Sequence, residues 1–249
     1  MRAFAFLTAS ILIFLSSAEA FAEEPLQDQA VAMTPGPSGW AISDRNAQTV
    51  TSGITGTLVQ VDVQIFQSNE FAEGDLWVDI FGTLPNGLPD IPTDGVPLAS
   101  SLIRNEDIPT TEAFGSEEVV TTPASFLSSN LYFEAGEKFA IRLRRTELSN
   151  PGLPPWMLWK SINNVYSNGA FFLRTSAGWE ERDGDHGFRS YVVPYRVGDA
   201  NLDGSVSLLD VAVFVDILAN GEFLPEVDIN CDGAVDLLDV ELFVAVLSG

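Results

Sequence analysis

The chain has 249 residues, with 35 acidic against 12 basic side chains and a net charge of −23. A surface of that sign repels polyphosphate and anionic lipid, so no nucleic acid partner and no membrane insertion are expected. The single cysteine, Cys231, excludes an internal disulfide, and the single histidine, His186, excludes a histidine-rich metal site.

Residues 1–22 read as a secretory signal peptide. Arg2 gives a positive start, Ala3–Leu15 an apolar run too short to span a bilayer, and Ala18, Ala20 and Ala22 the small residues of a cleavage site after Ala20 or Ala22. A secreted, extracellular mature chain is expected. Residues 23–38, with their Glu, Gln, Pro and Gly, read as a flexible leader.

Over residues 39–195 the hydrophobic pattern has period two. In Leu58–Gln67, Val59, Val61, Val63 and Ile65 alternate with Gln60, Asp62 and Gln64, which predicts a strand with one apolar face. Asp75–Gly82 and Lys138–Arg145 predict two more. Shorter candidates are Ala47–Thr51, Ala99–Arg104, Glu117–Thr122, Leu131–Phe133, Trp156–Lys160, Ala170–Arg174 and Phe188–Val193. Turns at Leu84–Gly87, Ala135-Gly136 and Asp183-Gly184 separate them. No helical period of useful length precedes residue 207. Eight to ten short strands predict a mainly β, two-sheet sandwich, jelly-roll-like.

This segment offers little for catalysis. His186 lies in Glu181–Gly187 beside Asp183 and Asp185, so it reads as a polar loop residue, and no Gly-x-Ser-x-Gly elbow exists. Asp62, Asp79 and Glu118 are carboxylates on strands, yet no strand pairs a glutamate with an aromatic-lined face as a jelly-roll glycosidase requires. No catalytic residue is assigned. Trp156 and Trp159 follow Pro154-Pro155 and differ in parity. At least one should leave the core, and both are candidate platforms for stacking on a sugar ring.

The last fifth of the chain changes character. Asp199–Asp210 (DANLDGSVSLLD) is followed 29 residues later by Asp228–Asp239 (DINCDGAVDLLD). From Asp199 and Asp228 onward, 12 of 22 residues are identical. Side-chain oxygens fall at loop positions 1, 3, 5 and 12, and glycine stands at position 6, where a loop curling round a cation needs positive φ. Calcium takes six to eight oxygen ligands, so the expected donors are Asp199, Asn201, Asp203, the Ser205 carbonyl and Asp210. In the second loop they are Asp228, Asn230, Asp232, the Ala234 carbonyl and Asp239. Residues 197–249 hold eleven carboxylates and no Lys or Arg; two calcium ions would change the local charge from −11 to −7.

These residues resemble a type I dockerin, the duplicated calcium loop–helix module that plugs into cohesin domains. Aspartate at position 12 and the lack of a helix before each loop are usual there. The resemblance covers Val197 to Gly249 and implies two antiparallel helices, two calcium ions and a docking role. Leu208-Leu209 and Leu237-Leu238 occupy its recognition positions, where cellulosomal members often carry Ser/Thr. These four leucines are the expected partner-binding residues. The helices should pack through Val211, Phe214, Val215 and Leu218 against Val240, Phe243, Val244 and Leu247. A cohesin-like domain, a second copy, or the chain's own β-sandwich should then cover the leucines. Only Pro194–Gly198 joins the two parts, which predicts a nearly fixed relation.

Taken together, these features predict a secreted, non-catalytic binding or scaffold protein. Its β-sandwich would contact a polysaccharide or envelope ligand, and its dockerin-like module would dock in a calcium-dependent way. The alternatives are a small glycoside hydrolase belonging to a dockerin–cohesin complex, and a structural extracellular protein.

Overall fold

In an extended chain, apolar residues at every second position become one wall of a sheet, and a second such wall must cover it. The computed structural model describes residues 25–31, 39–67, 74–92, 95–110, 121–146, 157–163 and 165–248. It is mainly β. The first sheet runs β1 (Leu26–Ala30), β15 (Phe188–Val193), β4 (Gly56–Val63), β8 (Thr122–Ser125), with β9 (Tyr132–Phe133) also beside β4. The second runs β13 (Gly178–Arg182), β12 (Phe171–Thr175), β3 (Asn46–Thr51), β10 (Lys138–Arg145), β6 (Leu76–Gly82), β7 (Ala99–Ile103). A smaller third sheet joins β14 (Asp185–His186), β11 (Met157–Ile162) and β2 (Gly39–Ala41), with β5 (Ile65–Gln67) on β11.

One hydrophobic core unites all three sheets, in agreement with the expected sandwich. Leu58, Val61 and Val63 come from the first, Val50, Val78, Ile80, Phe139, Ile141 and Leu143 from the second, and Met157 and Trp159 from the third. Each such side chain contributes about 1.5–3 kcal/mol on leaving water. The turns fall where glycine permits a left-handed backbone, as at Gly87 (φ 83°) and Gly184 (φ 104°).

Three expectations for this part need correction. The segment 23–38 is not all leader: Leu26–Ala30 forms β1, antiparallel to β15. The Asp28 carboxylate accepts hydrogen bonds from Gly53 N at 2.9 and 3.2 Å, which ties that strand down through polar contacts. Leu58–Gln67 is not one alternating strand. Gln60 pairs with Tyr191 and Leu58 with Val192, so Val59 is an extra residue, a β-bulge that turns it out of the main core. The chain then breaks at Gln64, between β4 and β5. Finally, His186 is not a loop residue, as its surroundings below show. Of the strand expected over Glu117–Thr122, residues 117–120 lie outside the described residues, as do the signal segment and Trp156.

Two helices close the chain, α1 (Asp210–Asn220) and α2 (Leu237–Ser248). They meet through Phe214 and Phe243, whose rings stack 4.1 Å apart at 13°. The buried positions are Asp210, Phe214 and Ile217 on α1, and Asp239, Phe243 and Val246 on α2. This differs from the expected stripe: Val215 and Val244 are exposed. Spacing of 4, 3 and 4, 3 is a single helix face, and the loop aspartates rather than the following valines set where it starts.

The helices also rest on the β part. Phe214, Phe243 and Val246 share a second core with Val59, Val193 and Val197. The junction is bonded: Thr57 Oγ1 donates to the Tyr195 carbonyl at 2.8 Å and accepts from Val197 N at 3.2 Å. Gly198 has φ 93°, and a Cβ there would come within 2.8 Å of Val246, so only glycine lets the chain pass under α2. Among the described residues no helix is long and apolar enough to cross a membrane.

Candidate metal loops and docking face

The two acidic stretches fold alike, with one added bond in the second, from Ile229 N to Asp239. In the first, Asp199 accepts from Asp203 N (3.0 Å) and Gly204 N (2.8 Å). In the second, Asp228 accepts from Asp232 N (3.2 Å) and Gly233 N (2.9 Å). Position 3 repeats, with Asn201 Oδ1 and Asn230 Oδ1 accepting from the position-5 amides at 2.9 and 3.0 Å. Position 5 repeats too: Asp203 accepts from Ser205 N, and Asp232 from Ala234 N. Position 12 closes each ring, Asp210 holding Asn201 N and Ser207 N, Asp239 holding Ile229 N, Asn230 N and Asp236 N.

Backbone shape repeats as well. Position 6 is left-handed glycine, Gly204 at φ 85° and Gly233 at φ 89°. Position 4 is left-handed without being glycine, Leu202 at φ 59° and Cys231 at φ 57°. A non-glycine residue there costs on the order of 1 kcal/mol, so the surrounding carboxylate–amide bonds must impose it.

The electrostatics of these loops are unusual. Asp199, Asp210, Asp228 and Asp239 are all buried. An ionised carboxylate away from water needs several strong donors or a cation. Backbone amides supply part of that need. Burial raises the Asp228 pKa, and the charges of Asp239 and Asp232 raise it further, against the amides of Gly233 and Asp232. The same burial and the same three aspartates push the Cys231 thiol up to about 11, which makes it a poor nucleophile. Among the described residues, no three His, Cys, Asp or Glu side chains form a group that could hold a metal ion. A calcium shell on these loops would draw also on Asn201, Asn230 and the carbonyls of Ser205 and Ala234. This all-oxygen donor set, with mutually repelling buried carboxylates, fits a hard divalent ion.

The four leucines lie on the surface. Leu208 and Leu209 are 82% and 70% exposed, and Leu237 and Leu238 are 78% and 66% exposed. The core that joins the helices to the β part does not include these leucines.

In the β part, the structure removes one expected ligand residue. Trp159 is fully buried, so it is no surface platform. Its indole stacks on His186 at 4.1 Å and 7°, and its Nε1 donates to the Gly187 carbonyl at 3.0 Å. The same packing moves His186 into the core, where Phe171 meets it edge-on at 4.4 Å. Its main-chain N–H donates to Gln48 Oε1 (2.9 Å), and Asp185 beside it accepts from Val165 N and Tyr166 N. Burial lowers the His186 pKa to about 3. Nδ1 lies 3.4 Å from the Lys160 carbonyl, which places the proton of the neutral ring there. Gln48, Asp185 and Trp159 thus surround His186 in a buried node that local sequence could not signal, since Gln48 is 137 and 138 residues from the groups it bonds.

The strand carboxylates are also committed. Asp62 is held by Gln60 Nε2 (2.7 Å) and the Tyr191 hydroxyl (3.2 Å). Asp79 is held by Ser100 Oγ (2.7 Å), Arg142 Nη2 (2.8 Å) and Arg144 Nε (3.2 Å). Bonds of this kind leave both carboxylates occupied by the protein's own donors. Glu118 lies outside the described residues. No protein-family model matches the chain, and no curated protein matches it.

Proposed function

We propose that this is a secreted, non-catalytic binding or scaffold protein with a calcium-dependent, dockerin-like docking module. The observation that carries the reading is the repetition of the whole carboxylate–amide pattern in two loops 29 residues apart, each running into a helix. Two calcium ions, one per loop, would neutralise four of eleven local negative charges. The exposed pairs Leu208-Leu209 and Leu237-Leu238 are then the docking residues, and a cohesin-like domain is the partner. The β part, a jelly-roll-like sandwich in this reading, contacts a polysaccharide or envelope ligand.

The contact of Val59 and Val193 with the helices favours a second reading, a structural extracellular protein whose module packs on its own sandwich. The two readings differ in what the leucines do. Calorimetric titration should show two calcium ions per chain. A pull-down with the full chain should retain a defined partner in calcium and release it in EDTA. Absence of calcium binding would end the first reading; calcium binding without any partner would leave the second.

A further inference from the structure

The second sheet has an outer face on the side away from the main core. Side chains alternate along a strand, and Val78, Ile80, Ile141 and Leu143 point inward, so Trp77, Asp79 and Phe81 of β6 and Lys138, Arg142 and Arg144 of β10 lie on the other face; there Phe81 is buried with Ala47, Ala140 and Ile91, and Trp179 packs on the edge of that cluster. Register then aligns residues of different strands. Trp77 pairs with Arg144, and Arg174 of β12 pairs with Trp179 of β13. Between them, at the start of β3, the Arg45 carbonyl accepts from Arg174 N at 2.8 Å. One row across five neighbouring strands therefore reads Trp77, Arg144, Arg45, Arg174, Trp179. The guanidinium of Arg144 lies 5.7 Å from the Trp77 ring and that of Arg174 lies 5.9 Å from the Trp179 ring.

One row deeper, Arg142 and Arg144 share a single carboxylate, Asp79, which leaves a net positive charge. Among the described residues the one hydrogen bond of Arg142 goes to Asp79, and its buried Nε has no partner. Cations gathered on one face run against the average of a chain at −23.

We propose that this face binds an anionic polysaccharide, a linear chain bearing uronic acids, with the arginines on its carboxylates and the tryptophans bracketing the occupied length. The inference rests on the reading that the β part contacts a polysaccharide, and it names the class. Guanidinium groups take carboxylates in two-pronged fashion, and indole rings stack on sugar faces. Four strand spacings separate Trp77 from Trp179, about 19 Å. Each spacing is close to the length of one pyranose along a linear chain, so about four sugars fit. A long polyphosphate would be repelled by the rest of the surface, whereas a short oligouronide feels mainly cations within a Debye length of about 8 Å.

The test is calorimetric titration of the full chain, in calcium, with tetragalacturonate, with cellotetraose as the neutral counterpart and a short single-stranded DNA as the other anion. Tetragalacturonate should bind, and more weakly as salt rises. Arg45→Gln and Arg174→Gln should each weaken it about tenfold, and Trp179→Ala by a similar factor. Arg189→Gln, on the first sheet, should change nothing. Arg144→Gln is the harsher variant, because it also disturbs Asp79; the Arg45 and Arg174 variants keep the test decisive if it fails to fold. Binding of cellotetraose alone, or binding unchanged in these variants, overturns the anionic face and leaves a polysaccharide-binding β part standing. Preference for the DNA also overturns it. Binding of none of the probes, with self-association through this face, overturns both.

Discussion

The β part buries Trp159, Phe66, Phe126, Phe139, Phe171 and Phe188, whereas the helical part buries Asp199, Asp210, Asp228 and Asp239 beside a core with two aromatic rings, Phe214 and Phe243, and otherwise only aliphatic side chains such as Val197, Val227 and Ile229. A core of the first kind grows with the area removed from water and is indifferent to ions. One of the second kind fixes its backbone through carboxylate–amide bonds, and its stability depends on what neutralises the charge. About fifty residues cannot enclose a self-sufficient core, so the helical part needs a second source of order. The surface of β4 and β15 is one such source, and in the proposed reading calcium is the other.

Removing calcium should break this contrast most severely. With free calcium a thousandfold above Kd, each ion adds about 4 kcal/mol to the folded state. Chelation should therefore abolish the helical signal in far-UV circular dichroism while the β signal persists. Asp210→Ala and Asp239→Ala should each remove one ion in calorimetry. Helix content indifferent to EDTA would show that contact with the β part alone orders the helices.

The reciprocal experiment removes packing. Trp159→Ala should cost about 3–5 kcal/mol, read from the denaturation midpoint of the β part, with calcium stoichiometry unchanged. Calcium binding lost along with the β part would mean that the two parts fold as one unit through Val59 and Val193.

A third lever is acid. His186 has a folded pKa of about 3 against an ordinary 6.5. Below 6.5 the unfolded chain takes up a proton that the folded chain refuses, so stability falls as pH drops from 6.5 toward 3. The loss approaches about 1.4 kcal/mol per pH unit within that window. Denaturant midpoints of the β part should decline between pH 7 and pH 4.5, and His186→Gln should flatten the slope. An equal slope in that variant would assign the acid sensitivity elsewhere.

How far these features could be read from the sequence depended on whether their causes were local. The repeated loop shape was legible because twelve adjacent residues supply both the carboxylates and the glycine of each turn, and because the stretch occurs twice. Lys138–Arg145 was legible for a similar reason, since alternation within the strand fixes its faces; the observed β10 has the same bounds. The first strand escaped notice because LQDQA has no apolar alternation, and what holds it is β15 together with Gly53, 25 residues from Asp28. His186 and Trp159 were misjudged together. Surrounding Asp and Gly suggested water for one and parity suggested a surface for the other, but they stack on each other, the Gly187 carbonyl takes the indole N–H, and Gln48 takes the His186 main-chain N–H and bonds Asp185. The row from Trp77 to Trp179 draws one residue from each of five strands, so it exists only once register is known.

The smallest effect on stability is expected where the largest effect on partner capture is predicted. Leu208, Leu209, Leu237 and Leu238 are exposed, belong neither to the Phe214–Phe243 pair nor to the core shared with the β part, and stand at the ends of loops that are tied internally. Changing exposed residues usually shifts stability by no more than about 0.5 kcal/mol. Leu208→Asp with Leu209→Asp, and the matching pair at Leu237 and Leu238, should leave the thermal midpoint and both calcium ions in place. Large exposed leucines in pairs are nonetheless costly to solubility unless something covers them. The two pairs sit at equivalent positions of a repeated unit, so either could present the same face to a partner after half a turn. Each double variant should accordingly weaken calcium-dependent capture only in part, and the quadruple variant should abolish it. Should the quadruple variant instead capture the partner as the unmodified chain does, the leucines face nothing, and docking must be sought on the exposed Val215 and Val244.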